Sequence, residues 1–143
     1  MRLLTFLILS FTFLSCQIVK EDAEELKSLL SNCDQVNVTF FDGIDTLPIK
    51  VIDTLHLHSF TAVITAGSEE NQDGNLPNGR ISFINKADTS LTAFFSTTLP
   101  PTSSNCGYII YSFNSKMHSN KLTPKACQLL NEIYEKMKEK RKK

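Results

Sequence analysis

The sequence predicts an α+β fold: an antiparallel sheet of four to five strands with an N-terminal and a C-terminal helix packed on one face. Three observations carry this expectation. Apolar residues recur at helical spacing towards both ends of the chain, at Ala23, Leu26, Leu30 and Cys33 and again at Cys127, Leu130, Ile133, Tyr134 and Met137. Between them lie short runs of period two, the clearest being Gly107 to Phe113. Turn signals separate those runs closely enough for local hairpins, and hairpin-joined strands with segregated helices give an α+β layer.

The first helix is expected over 21–33, because acidic residues fill its first turn and suit the positive end of the helix dipole. Asn32 and Asp34 supply its stop. Gln35 to Phe41 alternates, with Val36, Val38 and Phe40 on one face and Asn37, Thr39 and Phe41 on the other, and Asp42-Gly43 reads as a turn. Pro48 to Ile52 is a second short strand candidate. Asp53 to Ala66 carries two signals. Leu57, Phe60 and Ile64 fit a helix capped by Asp53 and ended by Gly67. Thr54, Thr61, Val63 and Thr65 are β-branched and favour a strand; the balance leans to helix and the strand stays open. Gly67 to Gly79, with Asp-Gly and Asn-Gly pairs and Pro77, reads as a loop. Arg80 to Asn85 and Leu91 to Thr97 read as a hairpin around Ala87-Asp88. Leu99 to Asn105, with Pro100-Pro101, reads as another loop. Lys116 to Leu122 is a possible return strand beside Gly107 to Phe113. Thr123 is a good N-cap for the last helix, and Pro124 stands where its missing donor costs nothing. The basic tail from Lys138 is expected to fray. No internal repeat is present.

The N-terminal segment reads as an address. Arg2 precedes an apolar run from Leu3 to Ser15, and the chain turns polar and acidic directly after Cys16. That is the pattern of a secretory signal peptide. The run is shorter than the roughly 20 residues a spanning helix needs. Phe13-Leu14-Ser15-Cys16 resembles a bacterial lipobox, in the loosened form of Bacteroidota-type lipoproteins. Ser15 and Cys16 fit the pattern; Phe13 replaces its usual leucine, and Leu14 is bulkier than usual. The resemblance implies cleavage before Cys16, a diacylglycerol thioether on its sulfur and a fatty acyl group such as palmitate on its new amino group. Two or more chains hold a protein stably on a membrane where one holds it marginally. The expected organisation is a signal peptide over 1–15, a lipidated Cys16 with a tether over 16–20, and one domain over 21–143. The expected location is the cell envelope, in the periplasm or at the outer membrane.

Composition bounds the rest. Of 143 residues, 15 are basic and 15 acidic, and loss of Arg2 leaves 14 against 15, a formal balance of −1. Near-neutrality argues against general nucleic-acid binding. Cys33, Cys106 and Cys127 remain in the mature chain, in a compartment where disulfides persist. Their odd number leaves at least one thiol. Cys33 with Cys127 is the expected pair, at facing ends of antiparallel helices, and Cys106 with Cys127 is its rival.

Sites for chemistry are weak. His56 and His58 share a face only on a strand, and with His118 they read as exposed histidines rather than a metal site. No C-x-x-C spacing points to zinc. Cys106 with His118 lacks an orienting acid, and no G-x-S-x-G frames a serine. Glu69, Glu70, Asn71, Asp73 and Asn75 carry oxygen ligands without the spacing of a calcium loop. Lys136, Lys138, Lys140, Arg141, Lys142 and Lys143 suit the negative end of a helix, or contact with anionic lipid or glycan. Asn37-Val38-Thr39 fits a glycosylation sequon that a bacterial lipoprotein leaves idle. The expectation is therefore a lipoprotein without catalytic role, cofactor or metal, whose partners are the membrane and a protein of the envelope. An immunity or inhibitor protein is the alternative within that class, and an enzyme with a loop-built site is the alternative outside it.

Overall fold

The computed structural model describes residues 22–41, 48–66, 76–98 and 106–142. They form three helices and one antiparallel sheet: α1 (22–31), β1 (Gln35–Phe40), β2 (Ile49–Val51), α2 (Thr54–Thr65), β3 (Gly79–Asn85), β4 (Asp88–Ser96), β5 (Tyr108–Phe113), β6 (Lys116–Lys121) and α3 (Pro124–Arg141). The strand order is β2-β1-β3-β4-β5-β6. β1 is antiparallel to both β2 and β3, so α2 carries the chain from the sheet edge across β1. From β3 to β6 the sheet is a simple meander.

Six strands form where four to five were expected. Both weak candidates pair. β2 has three residues, and β6 reads KMHSNK with little apolar alternation. Each lies at an edge, where a hairpin connection fixes pairing and burial asks least of the side chains. The two-residue turns at Lys86-Ala87 and Asn114-Ser115 hold positive φ at both positions (49° and 79°; 48° and 62°), the backbone whose twist suits a tight hairpin. The first of these lies one residue earlier than expected, and β4 begins at Asp88 rather than Leu91. A register shift explains why: Phe83 faces Leu91 while Ile84 faces Thr89, so Ser90 is extra and breaks the alternation.

Asp53 to Ala66 resolves as a helix. Asp53 caps it by accepting from Leu55 N at 2.9 Å. Phe60, Val63 and Ile64 are buried on one stripe, and Thr54, Thr61 and Thr65 lie away from it. Burial of that stripe outweighs β-branched preference. α1 is shorter than expected: Cys33 lies beyond its end, and Ala23, placed on the stripe, is exposed. α3 starts as expected, with Thr123 Oγ1 accepting from Ala126 N at 3.2 Å and Pro124 in the first turn. It continues to Arg141, past the expected fraying point.

The core lies between the helices and one sheet face. Val36, Phe83 and Leu91 make one cross-strand row; Val38, Ile81, Ala93 and Tyr111 the next; Phe40, Gly79, Phe95 and Ile109 the third. Leu26, Leu30, Phe60, Ile64, Leu130 and Ile133 cover them. Phe40 meets Phe95 and Tyr134 edge-on at 5.3 and 5.1 Å. Phe95 lies over Gly79, where a Cβ would stand 2.0 Å from its ring, so this strand position requires glycine. The expected loop over Gly67 to Gly79 therefore gives up its last residues to the sheet. Asn78 accepts from Phe41 N, donates its own N–H to Phe95 O, and its side-chain amide bonds Thr97 from both ends. Residues 67–75 of that loop lie outside the described residues.

The β5–β6 turn grips the start of α1. Lys116 Nζ donates to Asp22 Oδ2 at 2.7 Å, and Asn114 Nδ2 reaches Asp22 Oδ1 and Glu25 Oε2, both at 3.0 Å. Lys116 first, then Asn114, holds the Asp22 carboxyl below its ordinary value of 3.8. A depressed carboxylate contributes stability that is fully present above its unfolded value and lost as pH falls through the folded one. The Asp22 contribution is thus expected above about pH 4 and to fade below it. In Lys116→Ala, an NMR titration should move Asp22 upwards towards 3.8; an unmoved titration would show that the contact does not form in solution.

Candidate interaction surface

The sheet has a second face, and the helices leave it uncovered. Register places three rows on it, with Gln35, Ile84 and Thr89 and the Ser112–Met117 pair beside them. Lys50, Asn37, Ser82 and Thr92 form one; Thr39, Arg80, Phe94, Ile110 and Ser119 form another; Ser96, Tyr108 and Lys121 form the third. Thr39, Ile84 and Ser96 are buried, and the large exposed side chains are Lys50, Arg80, Phe94, Met117 and Lys121. Phe94 is 41% and Met117 71% exposed, with Ile110 and Tyr108 half-buried beside them. Arg80 stands directly opposite Phe94 across the strand pair, and Phe94 directly opposite Ile110.

Among the described residues, the charge on this face has one sign. Lys50, Arg80 and Lys121 are exposed there, and none has an ion-pair partner among the described residues. The described strands contain one carboxylate, Asp88, which faces Asn85 at the hairpin end and has the core-side parity. Glu24, Glu25, Glu132, Glu135 and Glu139 are all carried by α1 and α3. The same two helices also carry Lys27, Lys125, Lys136, Lys138 and Lys140, so the helix side bears both signs. The sequence names the strands that carry these residues, but it does not reveal which cations become neighbours. That depends on the register of five strand pairs.

The expected histidine surface is corrected in part. His58 is exposed, His118 is half-buried and His56 is buried. His56 Nδ1 pairs with Asp53 Oδ2 at 3.0 Å, and its Nε2 lies 3.9 Å from Glu132 Oε2 across the α2–α3 contact. The Leu55 N–H, then the His56 ring, holds the Asp53 carboxyl below its usual range. The cluster ties the capped end of α2 to α3. His118 stacks on Tyr111, rings 5.1 Å apart. It faces Tyr111 in β5, roughly 16 Å along the strand from Cys106 at 3.3 Å per residue, so these two are not brought together. Among the described residues, no three His, Cys, Asp or Glu side chains gather where they could hold a metal ion. The calcium candidates at 69–75 and the lipidation candidate Cys16 lie outside the described residues.

Two surface hollows flank the helices. One of about 360 Å³ is lined by Glu25, Ser28, Leu29, Asn32 and Phe113. The other, of about 210 Å³, lies between α2 and the start of α3, with His58, Ser59, Thr123 and Lys125 on its wall. A different polar group is sealed inside. Tyr111 Oη donates to Ile64 O at 2.8 Å, and Asn120 Nδ2 reaches Val63 O and Ile64 O at 2.6 and 2.9 Å. These bonds add donors to carbonyls at the C-terminal end of α2, where, among the described residues, Val63 O otherwise receives only the C-cap Ala66 N–H at 3.4 Å. Burial pushes the Tyr111 hydroxyl up, and Asn120 partly offsets this.

Cys33, Cys106 and Cys127 are buried thiols. Cys33 donates to Leu29 O at 3.6 Å and lies beside Ser90. Cys127 lies elsewhere, beside Cys106, with its Sγ 3.5 Å from Cys106 O. No described helix is long and apolar enough to cross a membrane. Comparison of the chain with protein-family models, curated proteins and solved structures finds no match.

Proposed function

We propose that this chain is a lipid-anchored envelope protein that binds an acidic protein partner on the uncovered face of its sheet, without catalysing a reaction. The observation that supports the reading is a face that sets Arg80 against Phe94 and Ile110, with Lys50 and Lys121 at its flanks and no carboxylate on it among the described residues. An arginine beside an exposed aromatic ring is the pairing that interface hot spots favour. Clustered cations of one sign steer an acidic surface into place and repel a like one. The same repulsion disfavours a second copy of this chain, face to face. Six strands at about 4.8 Å spacing make the face about 24 Å wide, close to the side of a standard 800 Å² patch.

The sequence supports the anchor. A tether over 17–20 reaches at most about 14 Å at 3.6 Å per residue. The domain would therefore work close to the membrane, where a partner anchored in the same layer meets it often. Blocking an acidic toxin or hydrolase is one form such binding can take.

Two measurements test the two halves. Intact mass of the mature protein should show a chain beginning at an acylated Cys16; an unmodified Cys16 or a retained Met1 would overturn the anchor. For the face, the full chain carrying Arg80→Glu and Lys121→Glu is extracted from native membranes after crosslinking. The double variant should recover at least about tenfold less of the partner identified with the unaltered chain, while Lys138→Glu on α3 recovers it undiminished; about tenfold is the effect of 1.4 kcal/mol. Equal recovery with the double variant would remove the face from the account.

A further inference from the structure

Cys106 and Cys127 bracket the β5–β6 hairpin, and the fold returns one to the other. The chain enters β5 through Cys106 and Gly107. Gly107 holds φ +69°, and a Cβ there would stand 1.8 Å from Ser96 O, so the position admits glycine alone. Its carbonyl accepts from Leu122 N at 2.9 Å, which closes the open end of the hairpin. One residue later Thr123 caps α3, and Cys127 N donates to Thr123 O at 3.0 Å. The same carbonyl accepts from Cys106 Sγ at 3.7 Å, while Cys127 Sγ donates to Cys106 O at 3.5 Å. The two thiols are therefore neighbours across the base of the hairpin. Cys127 is fully buried and Cys106 is 7% exposed.

We propose that Cys106 and Cys127 form an intramolecular disulfide that fastens the β5–β6 hairpin to the first turn of α3. The oxidant is a disulfide of the thiol-oxidoreductase class, for which glutathione disulfide stands in the test tube. The Cys106 thiol loses its proton and attacks one sulfur of that disulfide, forming a mixed disulfide and releasing the first thiol. Cys127 then loses its proton and attacks the Cys106 sulfur, releasing the second thiol. Two protein thiols give up two electrons and two protons, and the oxidant takes both pairs.

The order follows from the surroundings. Burial first, then the adjoining Cys106, pushes the Cys127 thiol up, which makes it a poor first nucleophile. The mixed disulfide therefore forms on Cys106, the more exposed of the two, and Cys127 resolves it. Cys33, beside Ser90 and the end of α1, has no part in it and keeps its thiol. The bridge closes the segment from Cys106 to Cys127, which carries β6, the edge strand that bears Lys121.

The full chain carrying Cys16→Ser is refolded with reduced and oxidised glutathione, denatured without reduction, and alkylated. One alkylated thiol is expected, at Cys33, with a mass lower by two hydrogens than the reduced chain before alkylation. Trypsin should then yield residues 87–116 joined to residues 126–136. Cys33→Ser should keep the joined pair and Cys106→Ser should lose it, with a lower urea midpoint on reduction only where the pair is present. Three alkylated thiols, a joined peptide containing Cys33, or a disulfide-linked dimer would each overturn the assignment.

Discussion

Ile133→Ala is expected to lower the unfolding free energy by about 2–5 kcal/mol, the usual cost of emptying a fully buried aliphatic site. Ile133 is 1% exposed on the stripe that α3 presses onto the sheet, and it belongs to the single cluster that joins all three helices to β1, β3, β4 and β5. Close packing leaves its neighbours little room to collapse into the gap. Lys138, one turn on and exposed, stands 5.6 Å from the Tyr134 ring and 3.5 Å from Glu135. Exposed contacts of this kind contribute below about 1 kcal/mol, so Lys138→Ala should barely move the midpoint. Urea denaturation compares the two directly. Equal midpoints would mean that α3 is rotated or displaced from its place on the sheet.

Asn120→Ala is expected to cost about 1–3 kcal/mol, although it removes no apolar packing. Asn120 is 2% exposed, and its amide reaches the carbonyls of Val63 and Ile64 at the end of α2. Loss of the amide leaves, among the described residues, Val63 O with only the 3.4 Å bond from Ala66 N and Ile64 O with only Tyr111, each short of one donor in a buried place. Tyr111 donates to the same Ile64 carbonyl, so Tyr111→Phe and Asn120→Ala should not add; a double-mutant cycle in urea measures their coupling. Strict additivity would show that the two side chains do not share this helix end in solution.

The sequence carried local features well. Thr123-Pro124 predicted the start of α3, and the alternation of Tyr108 to Phe113 predicted β5, because a cap and a two-residue period are written within a few neighbouring residues. Features that depend on distant partners were hidden. Asn120 reads as a polar residue on a weak strand; its role exists only because α2, more than fifty residues earlier, ends above it. His56 looked solvent-exposed until α2 packed against α3 and Glu132. Ser90 broke the alternation of β4 because a bulge inserts a residue whose only signature is a lost period. The candidate surface was half legible. Phe94 and Arg80 each fell within a predicted strand of one hairpin, but their juxtaposition required the β3–β4 register.

Site-specific photo-crosslinking in the living envelope tests the central claim most directly. A photoreactive phenylalanine analogue replaces Phe94 on the uncovered face, or Lys138 on α3, in otherwise unaltered full-length protein. The account predicts a discrete crosslinked protein from position 94, rich in carboxylates at the crosslinked segment, and none from position 138. It also predicts that Arg80→Glu abolishes the product. A product from position 138 with none from position 94, or one from position 94 that survives Arg80→Glu, would contradict the account.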